Sequence, residues 1–236
     1  MGDPAPDVWG FPGQGVAWSM VAARLEAGAD DDLVRRLVDR TGVRDWAEVD
    51  PADTRLAQPG ILTASLLEAT TRPSDGVEVL VGHSFGELAA LVVAGVLDVS
   101  QALDLAIARG EAGATALAER GGGMLAVVGV DEWEVEHVRR LALQAADGIV
   151  EVAVRNHHLQ VVLSGDPPAL DRVRDRVLAT TEGRAHVLPI GGPFHSPFMA
   201  DAAASYRESV ASMALAPPRI PVVISTNTRQ VTGEDD

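Results

Sequence analysis

The chain of 236 residues has no cysteine. That excludes disulfides, a cysteine nucleophile and thiolate metal sites, and it is neutral on compartment. Lysine is absent as well, so every basic residue other than histidine is arginine. Schiff-base chemistry and a lysine general base are therefore excluded. No run of 18 apolar residues occurs, and no membrane-spanning helix is expected. The start, Met1-Gly2-Asp3-Pro4-Ala5-Pro6-Asp7, is acidic and proline-bearing, unlike a secretory signal, so the expected location is cytoplasmic. Positive charge is scarce: the formal net charge of -15 argues against nucleic acid as the main partner. An acidic partner could dock only on a local basic patch.

What is present is most informative between Val77 and Ala94. The valine-rich run Val77–Val81 reads as a buried strand. It stops at Gly82, and Leu88-Ala89-Ala90-Leu91-Val92-Val93-Ala94 reads as a helix apolar on every side. Between them, Gly82-His83-Ser84-Phe85-Gly86 is a G-x-S-x-G sequence in the strand-turn-helix setting of a nucleophile elbow. Such a turn leaves no room for side chains at Gly82 or Gly86 and lifts the Ser84 hydroxyl above the sheet. The helix start behind Ser84 offers N–H groups to a developing oxyanion. The bland alternative is an ordinary tight turn, since the bare motif is common; the flanking strand and helix favour catalysis.

Around this centre the elements alternate. A Val8-Trp9 strand leads into Phe11-Pro12-Gly13-Gln14-Gly15 and a helix over Met20–Leu25. Gln58-Pro59 opens another helix, with Pro59 suited to a first helical position. A long helix spans Val99–Arg120, with Asp98 and Gln101 spaced as a capping box. Gly121-Gly122-Gly123 reads as a hinge. Strands at Met124–Val130, Ile149–Val154, Gln160–Leu163 and Ala185–Ile190 then alternate with helices at Glu132–Ala146 and Pro168–Thr180. This βαββαβ order is that of a ferredoxin-like unit. The expected fold is α/β: a parallel-sheet large domain of residues 1–122 and 191–236, with a small ferredoxin-like domain inserted at 123–190. Helix Pro197–Met213 and strand Pro221–Ile224 belong to the large domain.

Arg109 is the second informative residue. On a helical wheel Ala102, Ala106, Ala116 and Leu117 share one side, with Leu103 and Leu105 flanking it and Arg109 inside the stripe. Gly113 on that side leaves room for a neighbour's long side chain. A guanidinium facing a core is costly unless it meets an anion, and it can hold a carboxylate through two parallel hydrogen bonds. Either a protein carboxylate, such as Glu87, supplies that anion, or Arg109 grips a substrate carboxylate near Ser84.

These residues together resemble the malonyl-CoA:acyl carrier protein transacylase family, including the acyltransferases of polyketide synthases. The resemblance runs from Phe11 to about Ile224 through motifs in family order. They are Phe11–Gly15, Gln58-Pro59, Gly82–Glu87, Arg109-Gly110, Asn156 with Gln160 before Val161–Gly165, and Gly192-Pro193-Phe194-His195. Each is weak alone and together they are specific. The resemblance implies a hydrolase-like large domain with a ferredoxin-like insertion. It implies that Ser84 is acylated from a coenzyme A thioester and that His195 is the general base, then acid. The backbone N–H groups of Gln14 and Phe85 would form the oxyanion hole. Arg109 would bind the free carboxylate of malonyl, and Phe194, Gln58 and Asn156 would line the substrate site. The acyl group would pass to the phosphopantetheine thiol of an acyl carrier protein, in polyketide or fatty acid biosynthesis, without metal or organic cofactor. Phe194 resembles the malonyl-type residue before the histidine, where methylmalonyl types usually carry serine. One methyl group is worth only about 1–3 kcal/mol of discrimination.

The chain departs from the family pattern at Val16-Ala17, where a small residue and a glutamine are usual. Gly10 breaks the usual first strand. Family members also extend some tens of residues further, into a part that supplies a backbone carbonyl orienting the histidine. Other candidates have bland readings. His83 packs beside the elbow; His157 and His158 are a loop pair; Glu87 interacts with the helix N-terminus. Asp30-Asp31-Asp32 is a solvated loop or helix start. Arg35-Arg36, Arg139-Arg140, Arg172, Arg174 and Arg176 form solvated faces, and the tryptophans pack. Hydrolysis of carrier-bound thioesters, transfer of a larger unit between carriers, and a non-catalytic docking role remain as alternatives.

Overall fold

The computed structural model describes residues 7–144, 146–225 and 229–233. The chain divides into two compact units. The first takes in Met1–Asp50, Arg55–Gly110 and Glu208–Asp236, as far as those are described; the second is Pro51–Thr54 and Glu111–Arg207.

The first unit is α/β with a four-stranded sheet. Its strands are β1 (Asp7–Phe11), β2 (Val77–Gly82), β7 (Val222–Val223) and β8 (Gln230–Val231), in the order β1-β2-β7-β8. β1, β2 and β7 run parallel, and β8 is antiparallel to β7. Gly10 does not break the first strand, contrary to expectation: it pairs with Val81, and a Cβ there would meet nothing within 4 Å. Pairing to a neighbour outweighs a single glycine's weak strand preference.

Helices α1 (Trp18–Ala27), α2 (Asp32–Thr41), α3 (Thr54–Thr70), α4 (Glu87–Ala94) and the start of α5 (Val99–Arg120) bury Leu25, Leu37, Leu62, Leu80, Leu103 and Leu105. Asp31 caps α2, its carboxylate accepting from the Leu33 N–H, so the Asp30–Asp32 run is a helix start. The expected box closes α5: the Asp98 N–H donates to Gln101 Oε1 at 2.9 Å, and the Gln101 N–H to Asp98 Oδ1 at 2.8 Å. No residue of α4 is exposed, in keeping with the apolar run Leu88–Ala94.

Pro59 does not open its helix. α3 begins at Thr54 and carries Pro59 inside it. Pro59 lies beyond the first four positions, whose N–H groups have no intrahelical acceptor, so its missing N–H forfeits a bond to the Arg55 carbonyl. The buried face, which includes Ala57, Gln58, Ile61 and Leu62, keeps the helix going.

The second unit contains β3 (Gly123–Val128), α6 (Glu132–Gln144), β4 (Val150–His157), β5 (Gln160–Gly165), α7 (Pro167–Thr180) and β6 (Arg184–Val187). The sheet order is β4-β5-β3-β6, all antiparallel. Side chains alternate along β3. Leu125 and Val127 join Val161 and Leu163 in a core with Val135, Val138, Val173 and Val177 of the two helices. Met124, Ala126 and Val162 face the other way and are covered by Phe194, with Leu188, Ile190 and Met199 packed against them. The second covering explains why this unit is wider than residues 123–190. Residues beyond 190 shield the sheet's other face, and a Cβ on Gly122 would lie 2.5 Å from Pro193. After a short turn at Pro197–Met199 comes α8 (Ala200–Ala211).

Two surface expectations change here. Arg139 is half-buried: it donates to the Val150 carbonyl and holds Glu136 with two bonds of 2.8 and 2.9 Å. Position 139 borders the buried stripe of Val135, Val138 and Ala142, so its stem packs while its fork braces β4. The Arg139 hydrogen bond, with that of Arg140, holds the Glu136 carboxyl down at about 2. Trp133 is 83% exposed rather than packed. It lies opposite that stripe on the helix. Among the described residues no helix is long and apolar enough to cross a membrane.

Candidate active site

Ser84 stands one residue past the end of β2, after His83, and begins a single 3-10 turn, Ser84–Gly86, that runs directly into α4. Its φ is 51°, in the left-handed region. For a residue with a Cβ this conformation costs about 1–2 kcal/mol, and it persists where surrounding contacts impose it. The contacts are visible. A Cβ on Gly82 would lie 2.1 Å from the Glu87 nitrogen, and one on Gly86 would lie 2.2 Å from the Phe11 carbonyl oxygen. The His83 N–H donates to the Phe11 carbonyl, and the Gly86 N–H to the His83 carbonyl, each at 2.9 Å. Both glycines are needed for lack of space, as the motif requires.

The turn after β1 touches this elbow. A Cβ on Gly13 would lie 2.4 Å from the His83 carbonyl oxygen and 3.0 Å from His83 Nδ1. His83 thus packs beside the elbow over Gly13. The close approach brings Gln14 next to the turn bearing Ser84 and Phe85, both turns standing at the carboxyl ends of adjacent parallel strands, where open α/β sheets place their chemistry. The Gln14 side chain accepts a 3.1 Å hydrogen bond from Gln58 Nε2. Gln58 is fully buried, and both Gln58 Oε1 and Gln14 Nε2 are buried without a hydrogen-bond partner. One donor and one acceptor are therefore held ready at this spot.

Arg109 reaches the same place from α5. It is half-buried, and its guanidinium carbon sits 5.4 Å from the centroid of the Phe85 ring. A cation over an aromatic face is attracted by the ring quadrupole, so the residue after the serine steers the arginine. Glu87, in the first turn of α4, is tied to Ser225. Its Oε1 accepts the Ser225 N–H at 2.7 Å and the Ser225 hydroxyl at 2.6 Å. Ser225 in turn accepts the Ser84 N–H at 3.3 Å. Sequence reasoning missed Ser225. The available signal was its position as the first polar residue after a strand parallel to β2.

The first unit thus gathers Gln14, Gln58, Ser84, Phe85 and Arg109. Asn156, Phe194 and His195 belong to the second. His195 is exposed and has a φ of 59°. With Ser84 it is one of the non-glycine residues in the left-handed region among those described. Ahead of it, Phe194 is 7% exposed, and a Cβ on Gly113 would lie 3.0 Å from the Phe194 Cζ. The long side chain that Gly113 admits is this ring. The Ser196 hydroxyl closes the turn by donating to the Pro193 carbonyl at 2.5 Å. Asn156 is exposed on β4, which extends to His157, at an irregularity in the β4–β5 register between Arg155 and His157. The His157 and His158 rings lie against each other at the end of this hairpin, tilted by 44° with centroids 4.0 Å apart.

The family model described as "Acyl transferase domain" matches residues 8–235. The chain belongs to the acyl transferase domain family. It is 34% identical to the polyketide biosynthesis protein ThaF of Burkholderia thailandensis, over 95% of this chain and 20% of that protein. It is 35% identical to the malonyl CoA-acyl carrier protein transacylase of Mycolicibacterium smegmatis, over 78% of this chain and 62% of the relative. The chain therefore spans a fifth of the first of these relatives and about three-fifths of the second. Among solved structures it is similar to FabD from Acinetobacter baumannii, with a TM-score of 0.80 and 27% identity. That match covers 96% of this chain and 74% of the other.

Proposed function

We propose that this chain transfers a malonyl group from coenzyme A to the phosphopantetheine thiol of an acyl carrier protein, through an ester on Ser84, in polyketide or fatty acid biosynthesis. The observation that carries the reading is the pairing of a strained, presented Ser84 with an arginine seated over the adjacent Phe85 ring. A serine on such a turn suits acyl transfer, and a guanidinium beside it suits an acyl group that bears its own carboxylate. The names of the relatives support the same donor and acceptor.

In this mechanism His195 takes the Ser84 proton as the hydroxyl attacks the thioester carbonyl. The Gln14 and Phe85 N–H groups stabilise the oxyanion. His195 then protonates the departing coenzyme A thiolate. In the second half-reaction it accepts the proton of the incoming pantetheine thiol, and Ser84 leaves as the alcohol. Arg109 orients the malonyl carboxylate. Gln58, through the donor and acceptor it shares with Gln14, and Asn156 and Phe194 complete the substrate contacts. Side chains and substrate groups suffice for every step, so the mechanism calls for no metal or organic cofactor. The sheet order β4-β5-β3-β6 in a βαββαβ chain supports reading the second unit as a ferredoxin-like insertion in a hydrolase-like domain.

Intact-protein mass spectrometry after mixing with malonyl-CoA tests the proposal. A malonyl adduct on the native chain, lost in Ser84→Ala and discharged by an acyl carrier protein, is the expected result. Discharge to water at the same rate without carrier would replace transfer by hydrolysis, and an undiminished adduct in Ser84→Ala would refute the nucleophile.

A further inference from the structure

The turn that presents Ser84 is tied down by a residue 141 positions away in the chain. We propose that Ser225 is a positioning residue for the nucleophile, acting through the Ser84 backbone and the Glu87 carboxylate. The inference rests on Ser84 being the nucleophile.

The left-handed φ of Ser84 turns its N–H out of the β2 ladder and short of the α4 hydrogen-bond series. A backbone N–H so placed needs an acceptor. The Ser225 hydroxyl supplies it at 3.3 Å, and spends its own proton on Glu87 Oε1 at 2.6 Å. The Ser225 N–H donates to the same oxygen at 2.7 Å. A hydroxyl has one proton and can do both jobs only in this sense, accepting from Ser84 and donating to Glu87. Two donors converging on one oxygen suit an ionised carboxylate, whose charge strengthens both bonds and polarises the chain that ends on Ser84.

Three elements are joined by this one side chain: the end of β7, the elbow, and the first turn of α4. The consequence concerns orientation. With the Ser84 N–H committed to Ser225, the peptide plane ahead of the nucleophile is held. The direction of the Ser84 side chain and the Phe85 N–H then follows from that plane. Alanine at 225 removes the acceptor for Ser84 and one donor to Glu87 together. Threonine keeps the hydroxyl. A residue that merely filled space would be replaced about equally well by either.

The test compares native chain, Ser225→Ala, Ser225→Thr and Glu87→Gln by the rate of Ser84 labelling with a fluorophosphonate, read by intact mass. The rate of acylation by malonyl-CoA, its KM and the melting temperature are read on the same samples. Ser225→Ala should slow both reactions at Ser84 about tenfold, the equivalent of one hydrogen bond, with KM for malonyl-CoA unchanged. Ser225→Thr should recover to within about twofold. Glu87→Gln should slow labelling, and the double variant with Ser225→Ala should be no slower than the worse single one, because the two act in one chain. Labelling of Ser225→Ala at the native rate, or of Ser225→Thr as slowly as Ser225→Ala, would overturn the proposal. If Ser225→Ala does not fold, the threonine and glutamine variants decide by the same criteria. A native chain that reacts with the fluorophosphonate and not with malonyl-CoA would defeat the acyl-group reading, while the labelling comparison still judges Ser225. A native chain whose Ser84 takes neither reagent defeats both.

Discussion

Gly86→Ala isolates the close approach that builds the elbow. Gly86 has φ -61° and ψ -18°, which alanine adopts without strain, so backbone conformation is not at issue. In the unfolded chain the substitution even helps, by about 0.4–1 kcal/mol of lost conformational freedom. Against this, the new Cβ would lie 2.2 Å from the Phe11 carbonyl oxygen and 2.8 Å from that of Pro12. An ordinary carbon-oxygen contact is about 1 Å longer, and both neighbours are backbone, which cannot rotate away. The turn after β1 must retreat from the elbow by about that distance. Overpacking of this kind costs about 1–3 kcal/mol, and the retreat also stretches the His83 N–H bond to the Phe11 carbonyl, worth about 1 kcal/mol. The net loss is about 2–3 kcal/mol, or a fall of about 5–10 °C in melting temperature for a chain of this size. Acylation should suffer more than stability. The turn that moves carries Gln14, and a 1 Å misplacement around a reacting centre costs about a hundredfold in rate. Differential scanning calorimetry and the rate of the malonyl adduct read the two effects on one sample. Gly10→Ala is the control, with nothing within 4 Å of the added carbon; it should be neutral or slightly stabilising. A Gly86→Ala chain that melts with the native protein and acylates at its rate would refute this account of the elbow.

Arg109→Ala should lower the rate of malonyl transfer at least about a hundredfold while changing acetyl transfer by only a few-fold, since only malonyl offers a carboxylate to the guanidinium; equal losses in paired assays with the two coenzyme A esters would remove Arg109 from substrate recognition. Glu136→Gln probes the pair bracing α6 to β4. The Glu136 carboxyl titrates at about 2 in the folded chain against 4.5 ordinarily, so its contribution is complete above about pH 4.5 and disappears as the pH falls toward 2. The substitution should therefore cost about 1 kcal/mol at pH 7, the screened worth of a partly exposed pair, and nothing near pH 2; urea unfolding at both pH values checks this, and a loss equally large at pH 2 would contradict it.

The elbow was legible because its causes are local. A glycine on each side of a serine, a valine-rich run before and an apolar stretch after describe a backbone path between Val77 and Ala94. The long helix was equally clear: Asp98 and Gln101 cap α5 as their spacing implies, and the helix ends at Arg120 before the glycines. The alternation of β3, α6, β4, β5, α7 and β6 followed from periodicity alone, with ends off by a few residues. Gln14, Ser84, Phe85 and Arg109 were each marked by a motif, and the fold sets them on one sheet edge and one helix of a single unit.

What escaped the chain order depends on neighbours distant along it. Nothing near Ser225 announces that its hydroxyl will meet Ser84, because that contact exists only once β7 pairs beside β2. The extent of the second unit turned on Phe194 and Ile190 covering Met124 and Ala126, a matter of which sheet face lacks a cover. Pro59 inside α3 and Gly10 inside β1 went against local preference, and packing against the rest of the unit prevailed. Preferences worth a fraction of a kcal/mol per residue can mark an element, while burial and pairing worth several kcal/mol choose its limits and its partners. The serine turn is thus written in a handful of consecutive residues, and the groups that hold and flank it become neighbours only when the strands assemble.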